Sequence, residues 1–312
     1  MKAKSLSLVF FGVTASQLFA MLVAYLSKPI SVVSVNTNGS VSIYANDTVE
    51  QVAPSNLTSH MVVQVISPFG LGPLGSLLVS ASLVVGSLLA AFLMVLALRK
   101  GYINYVVAGV LGAATFTLNY YIVSYAFGYL SVAPLLTATV LAAFMVFYAL
   151  RPLRFKGWLA VLANAVVLLN GAELGLFLAV SFQRMTIIFL AFVFSAYDFY
   201  SVFRGPISKM LGRPTSRPGP GPEEAVERPE RNLLGPMLVN FGEVEMGLGD
   251  ITFYSMMPAA IFTEGMGLGA AIVEVLLIDV GIAATLALLR KVRPLPGLPI
   301  PLLLGLLGFL LP

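Results

Sequence analysis

The chain has 312 residues, yet it contains no cysteine, one histidine and one tryptophan, and only 10% of its residues are charged. Each shortage removes a class of chemistry. Without cysteine there is no disulfide framework, no thiolate nucleophile and no thiolate-bound metal. The single histidine, His60, lies in a polar stretch. It cannot build a His-Glu-x-x-His zinc centre, nor serve a histidine-dependent serine nucleophile inside a membrane. Soluble domains carry about a quarter charged residues, so a tenth argues against a surface facing water. The short alternating segments of a membrane barrel are also missing.

What is present is apolar length. The chain is 58% hydrophobic with a mean hydropathy of +0.93. Nine hydrophobic segments follow one another, at approximately 5–27, 74–98, 102–127, 132–150, 158–181, 185–203, 237–262, 266–289 and 295–312. A span of about 20 apolar residues crosses a bilayer as a helix. The first segment follows Lys2 and Lys4 but is too long, and lacks the cleavage site, for a signal peptide. The expectation is an all-α polytopic membrane protein of nine transmembrane helices with a cytoplasmic N-terminus and an outside C-terminus. Its surroundings are the lipid bilayer, most simply the cell membrane.

The basic residues orient it. Sixteen of the 18 Lys and Arg fall on the N-terminal side, and only Lys28 and Arg184 on the other. That asymmetry marks the cytoplasmic face, and it explains the net charge of +4 without a nucleic-acid partner. The loop after the first span carries three N-x-[ST] sequons, at Asn38, Asn46 and Asn56. They are candidate glycosylation sites on the side the charges assign to the outside. The connection 204–236 holds seven prolines and five glycines, a composition that cannot bury enough apolar surface to order itself. It divides the chain into a six-span part (1–203), a flexible cytoplasmic loop (204–236) and a three-span part (237–312).

Two aspartates sit inside this apolar frame: Asp198 in FVFSAYDFYSVF and Asp250 in MGLGDITFYSMM. A carboxylate in the hydrocarbon region costs a few kcal/mol or more, so each marks a functional site by default. Asp198 lies about 9 Å inside the cytoplasmic end of its helix, and Asp250 about 7–8 Å beyond Glu245, taking a rise of ~1.5 Å per residue. Both therefore fall at similar depth on antiparallel neighbours. Two carboxylates in contact cannot both ionise cheaply, so such a pair holds one proton between them. One member then takes a proton from water while the other polarises a carbonyl. Gly247 and Gly249 are expected to open a close approach one turn before Asp250. Pro294, Pro296, Pro299 and Pro301 break the start of the last span. Irregular backbone at membrane depth is tolerated only inside protein or along a wet cavity.

Together these pieces resemble the presenilin and signal peptide peptidase family of intramembrane aspartyl proteases. The matching motifs are Tyr197-Asp198, Gly247-Leu248-Gly249-Asp250, and Pro296-Gly297-Leu298-Pro299, where glycine replaces the family's alanine. The stretch AYDFYSVFRGPISKML and the cytoplasmic N-terminus are similar to presenilins rather than to the inverted signal peptide peptidases. The resemblance implies an intramembrane aspartic endopeptidase with Asp198 and Asp250 as the catalytic pair. It implies that Tyr197, Gly247, Leu248, Gly249, Pro296, Gly297, Leu298 and Pro299 border the site and hold an unwound substrate. It implies transmembrane-helix substrates, no cofactor and no metal, and it leaves a homo-oligomer open. Prepilin peptidases share Gly-x-Gly-Asp but have fewer spans and different residues after the aspartate. The alternative from another class is an ion- or proton-coupled transporter using buried carboxylates, for which Asn170, Glu173, Glu274 and Asp279 are the candidates. These four are expected to make hydrogen bonds between helices.

Overall fold

The computed structural model describes residues 3–27, 30–35, 41–45, 48–52, 62–64, 102–127, 132–151, 157–203, 235–242, 244–289 and 296–310, and the helical positions Val85, Leu89, Phe92, Leu96 and Ala97. Most of the second expected span, the three sequon asparagines, His60 and residues 204–234 lie outside the described residues.

Six helices are long and apolar enough to cross a membrane. With their ends, these are α1 (Ala3–Ser27), α2 (Ile103–Phe127), α3 (Val132–Leu150), α4 (Trp158–Ser181), α5 (Arg184–Phe203) and, after the shorter α6 (Leu248–Thr263), α7 (Gly267–Leu289). Their outward faces are apolar. Phe11, Val132, Trp158 and Val161 are 75%, 70%, 72% and 69% exposed, a surface that only lipid covers cheaply. The protein is therefore an integral, multi-pass membrane protein.

The core gathers around α6. Every residue from Ile251 to Ile261 is buried, because α1, α4 and α7 all pack on this one helix. Small residues let the backbones close. A Cβ on Gly175 of α4 would stand 2.6 Å from the Thr252 carbonyl oxygen and 2.9 Å from the Met256 nitrogen. Polar side chains tie other helix pairs. Asn170 of α4 donates to Thr115 Oγ1 of α2 at 2.8 Å and accepts from Asn119 at 3.2 Å. Thr14 of α1 donates to Asp279 Oδ2 of α7 at 2.8 Å. So Asn170 and Asp279 do bond between helices as expected. Glu173 Oε2 and both oxygens of Glu274 have no hydrogen-bond partner among the described residues.

Three expectations need correction. The fold is mostly helical but not all-α. Strands β1 (Ile30–Val35), β2 (Val41–Ala45), β3 (Thr48–Val52) and β4 (Val62–Gln64) form a sheet in the order β3-β2-β1-β4 within the long loop after α1. The chain there alternates β-branched and polar residues.

The seventh span does not start as a helix at 237. Residues Leu238–Asn240 (β5) and Glu245–Gly247 (β6) form an antiparallel hairpin, and α6 begins at Leu248. Asn240 and Gly242 make the turn: Gly242 has φ +92° and donates to Asn240 Oδ1 at 2.7 Å. The depth of Asp250 taken from helical rise after Glu245 therefore fails, since those residues are extended. The ninth span is also shorter than its apolar run: α8 covers only Pro299–Gly305, followed by a 3-10 turn at Gly308–Leu310.

The α4–α6 contact has a direct test. Gly175→Ala should destabilise the protein by about 1–3 kcal/mol through overpacking. Gly109→Ala, where an added Cβ meets nothing within 4 Å, should be neutral or stabilising by up to ~1 kcal/mol. Thermal unfolding in detergent compares the two, and equal effects would contradict the close approach.

Candidate active site

The residues around Asp250 are set by the end of the hairpin. Gly247 closes β6 and caps α6 with extended backbone at φ −70° and ψ 147°. Asp250 is the third residue of the helix, and the Gly247 N–H donates to its Oδ2 at 3.3 Å. A carboxyl at this position pairs with the otherwise unmatched amides of a helix start. Among the described residues, nothing lies within 4 Å of a Cβ added to Gly249. Leu248 turns away, its Cδ1 3.3 Å from where a Cβ on Gly171 of α4 would be.

The hairpin is itself anchored. Asn164 of α4 donates to the Asn240 carbonyl at 2.8 Å, and its Oδ1 accepts from the Asn240 N–H at 3.2 Å. One carboxamide thus satisfies both backbone groups of a strand residue, as a neighbouring strand would.

Asp198 sits in the last turns of α5. The Leu298 N–H donates to its Oδ2 at 2.9 Å, and the Gly297 N–H is directed at the same carboxyl. Gly297 also faces the second aspartate. A Cβ placed on it would stand 3.3 Å from Asp250 Oδ2 and 3.5 Å from both Cγ and Oδ1. Both carboxyl groups therefore border Gly297, and Asp198 also borders Leu298. Pro296 and Leu298 are buried, and Pro299 opens α8 where its missing N–H costs nothing.

The aspartate-bearing helices touch only sparsely. They do not pack face to face. They meet where Phe194 of α5 lies 4.7 Å, centroid to centroid, from Phe253 of α6. Tyr197 packs edge-on against Phe194 at 6.4 Å and makes no hydrogen bond to either aspartate among the described residues. Gly297 and Leu298 of the segment 296–298 border the carboxyl groups there.

Sequence reasoning missed Asn164 and Tyr254. The Tyr254 hydroxyl donates to the Gly297 carbonyl at 3.0 Å, and its ring is buried within electrostatic reach of both carboxyl groups. Its spacing carried a signal, because Tyr254 stands four residues after Asp250 on one helix face.

Comparison with solved structures follows this geometry. A presenilin family intramembrane aspartate protease solved in space group C222 superposes with a TM-score of 0.55 over 96% of this chain and 97% of that one, at 17% identity. The form in space group P2 gives the same TM-score and identity over 96% and 95%. No protein family matches at the sequence level, and no curated protein does. The chain has the fold of presenilin-type intramembrane aspartate proteases.

The hairpin anchor yields a prediction that needs no activity. Asn164→Ala removes two hydrogen bonds worth about 0.5–1.5 kcal/mol each. The variant should unfold about 1–3 kcal/mol more easily, and limited proteolysis should cut first within 238–247. An unchanged digestion pattern would show that the carboxamide does not hold the hairpin.

Proposed function

We propose that the protein is an intramembrane aspartic endopeptidase that hydrolyses peptide bonds within the transmembrane segments of other proteins. The observation that carries this reading is the shared border: Gly297 lies against both the Asp198 and the Asp250 carboxyl groups, and Leu298 donates to Asp198 beside it. The fold likeness to aspartate proteases of the presenilin family supports it.

In this reading the two carboxyl groups hold one proton and a water between them. The ionised member takes a proton from the water as its oxygen attacks the scissile carbonyl. The protonated member donates to the carbonyl oxygen. Collapse of the tetrahedral intermediate returns that oxygen to a carbonyl and protonates the leaving amine. The substrate must be extended at the cut, because a helix hides its carbonyls in its own hydrogen bonds. β6 ends beside Asp250, and among the described residues nothing lies within 4 Å of a Cβ added to Gly249 next to it. An extended chain can lie there as a further strand.

The rest of the reading follows the sequence. The chain crosses the membrane nine times, with its N-terminus cytoplasmic. The 204–236 loop joins the part bearing Asp198 to the part bearing Asp250, and Asn38, Asn46 and Asn56 lie outside.

Purified protein in liposomes, given a model transmembrane substrate and read by mass spectrometry, should release peptides cut inside the span. Asp198→Ala, Asp250→Ala and the matching Asn variants should each lose at least 99% of this activity while remaining folded in detergent, since neither carboxyl group works alone. Substantial residual cleavage in any of them would defeat the assignment. Ion flux without a peptide product would favour the transporter alternative instead.

The proline motif gives a second test. Gly297→Ala puts a methyl 3.3 Å from Asp250 Oδ2, so the carboxyl group must give by a few tenths of an ångström, and the variant should keep most activity, whereas Gly297→Val should abolish it. Leu298→Ala should lower turnover strongly. If Leu298 served only as core, the same change would cost about 2–5 kcal/mol of stability with turnover per folded molecule intact.

A further inference from the structure

α8 carries Gly297 and Leu298 at its near end, so what holds its far end controls where they sit. From Leu298 to Gly305 is about 10 Å at ~1.5 Å per residue. Two helices grip α8 along that length. The near contact on α5 is Asp198 with the Leu298 amide, and the far one is the Arg184 guanidinium donating to the Phe309 carbonyl. On α7, Gly281 lies directly against the backbone of Pro301. Two turns earlier on the same face stands Glu274.

Glu274 is 0% exposed, and neither of its oxygens has a hydrogen-bond partner among the described residues. Its surroundings are specific. A Cβ on Gly305 would stand 2.5 Å from Oε1, and one on Gly308 would run into Oε2. The side chains beside that notch are Met257 and Ile261 of α6. The carboxyl group thus fills a hollow made by two glycines where α8 ends and the 3-10 turn begins. Such a break leaves backbone carbonyl and amide groups without helical partners. A neutral acid or a carboxamide offers both a donor and an acceptor there, and an alkyl chain offers neither.

We propose that Glu274 is a positioning residue: its carboxyl group, seated in the Gly305/Gly308 notch, holds the far end of α8 and so keeps Gly297 and Leu298 against the two aspartates. The activity part of this inference rests on the protease reading above, and the geometric part does not. Glu274 touches neither aspartate, so its effect is transmitted along α8. It also accounts for a buried acid to which the peptide-cleaving chemistry assigns no step.

The test uses the full chain, whose lack of cysteine leaves no background labelling. Spin labels at Leu303→Cys on α8 and Phe192→Cys on α5, both outward-facing at 46% and 51% exposure, report the α8–α5 distance in liposomes. Cleavage kinetics are measured on unlabelled protein. Wild type and Glu274→Gln should share one narrow distance distribution and turnover within about threefold. Glu274→Leu should broaden the distribution and lower kcat at least tenfold with KM within about threefold. Gly308→Ala, which drives a methyl into the carboxyl group, should do the same and serves if Glu274→Leu does not fold. Wild-type turnover in Glu274→Leu or Gly308→Ala, or lost turnover with an unaltered distance, would overturn the proposal. If wild type cleaves nothing, the protease reading fails, and the distance distributions alone still decide whether Glu274 seats α8.

Discussion

The hydrogen bond from the Leu298 amide to the Asp198 carboxyl group joins positions a hundred residues apart. The candidate site depends on it because α5 and α6 share so little contact of their own. Two membrane helices with few mutual contacts have no hydrophobic drive to stay in register, since lipid tails are as apolar as their side chains. A short irregular segment supplies the missing connection. It presents amides to one aspartate, the hydrogen of a glycine to the other, and a carbonyl to Tyr254. Proline-rich backbone suits that task, since it leaves few amides to satisfy and resists winding into a helix.

The same division of labour runs through the bundle. α6 is the fixed centre, sealed by α1, α4 and α7, and Gly175 lets α4 lie against its backbone. Asn164 extends that rigidity to the hairpin, so Asp250 is placed by a strand end and a helix start together. α5 is the looser partner, its position relative to the centre read through α8. Some polar side chains within the apolar bundle pair across helices, as with Asn119, Asn170 and Thr115.

Much of this was legible in the sequence where the signal was long. Six of the nine expected spans recur as helices because runs of 19 or more apolar residues have few other ways to satisfy their backbone in lipid. Asp198, Asp250 and the Gly297-Leu298 pair stood out as polar or irregular features in that background, and the fold brings them together. The failures came where two periods compete. LVNFGEVEMG is apolar enough to extend the seventh span, yet its strand character prevails on either side of a turn at Asn240 and Gly242. The outer sheet was hidden for a similar reason: short strands in a polar loop carry a weak signal beside the spans around them. Asn164 gave none at all, since a single asparagine in an apolar helix does not reveal which distant backbone it will meet.

The Leu298 amide has one more consequence. By occupying Oδ2, the protein's own backbone competes for an acceptor on Asp198 that any incoming donor would seek. A molecule binding between the aspartates meets a carboxyl group already engaged by the backbone of Leu298 and Gly297. Compounds that approach with a single hydroxyl fit that geometry. Compounds built to grip both oxygens of Asp198 must first displace the main chain, and their tightness would then measure how firmly α8 is held in place.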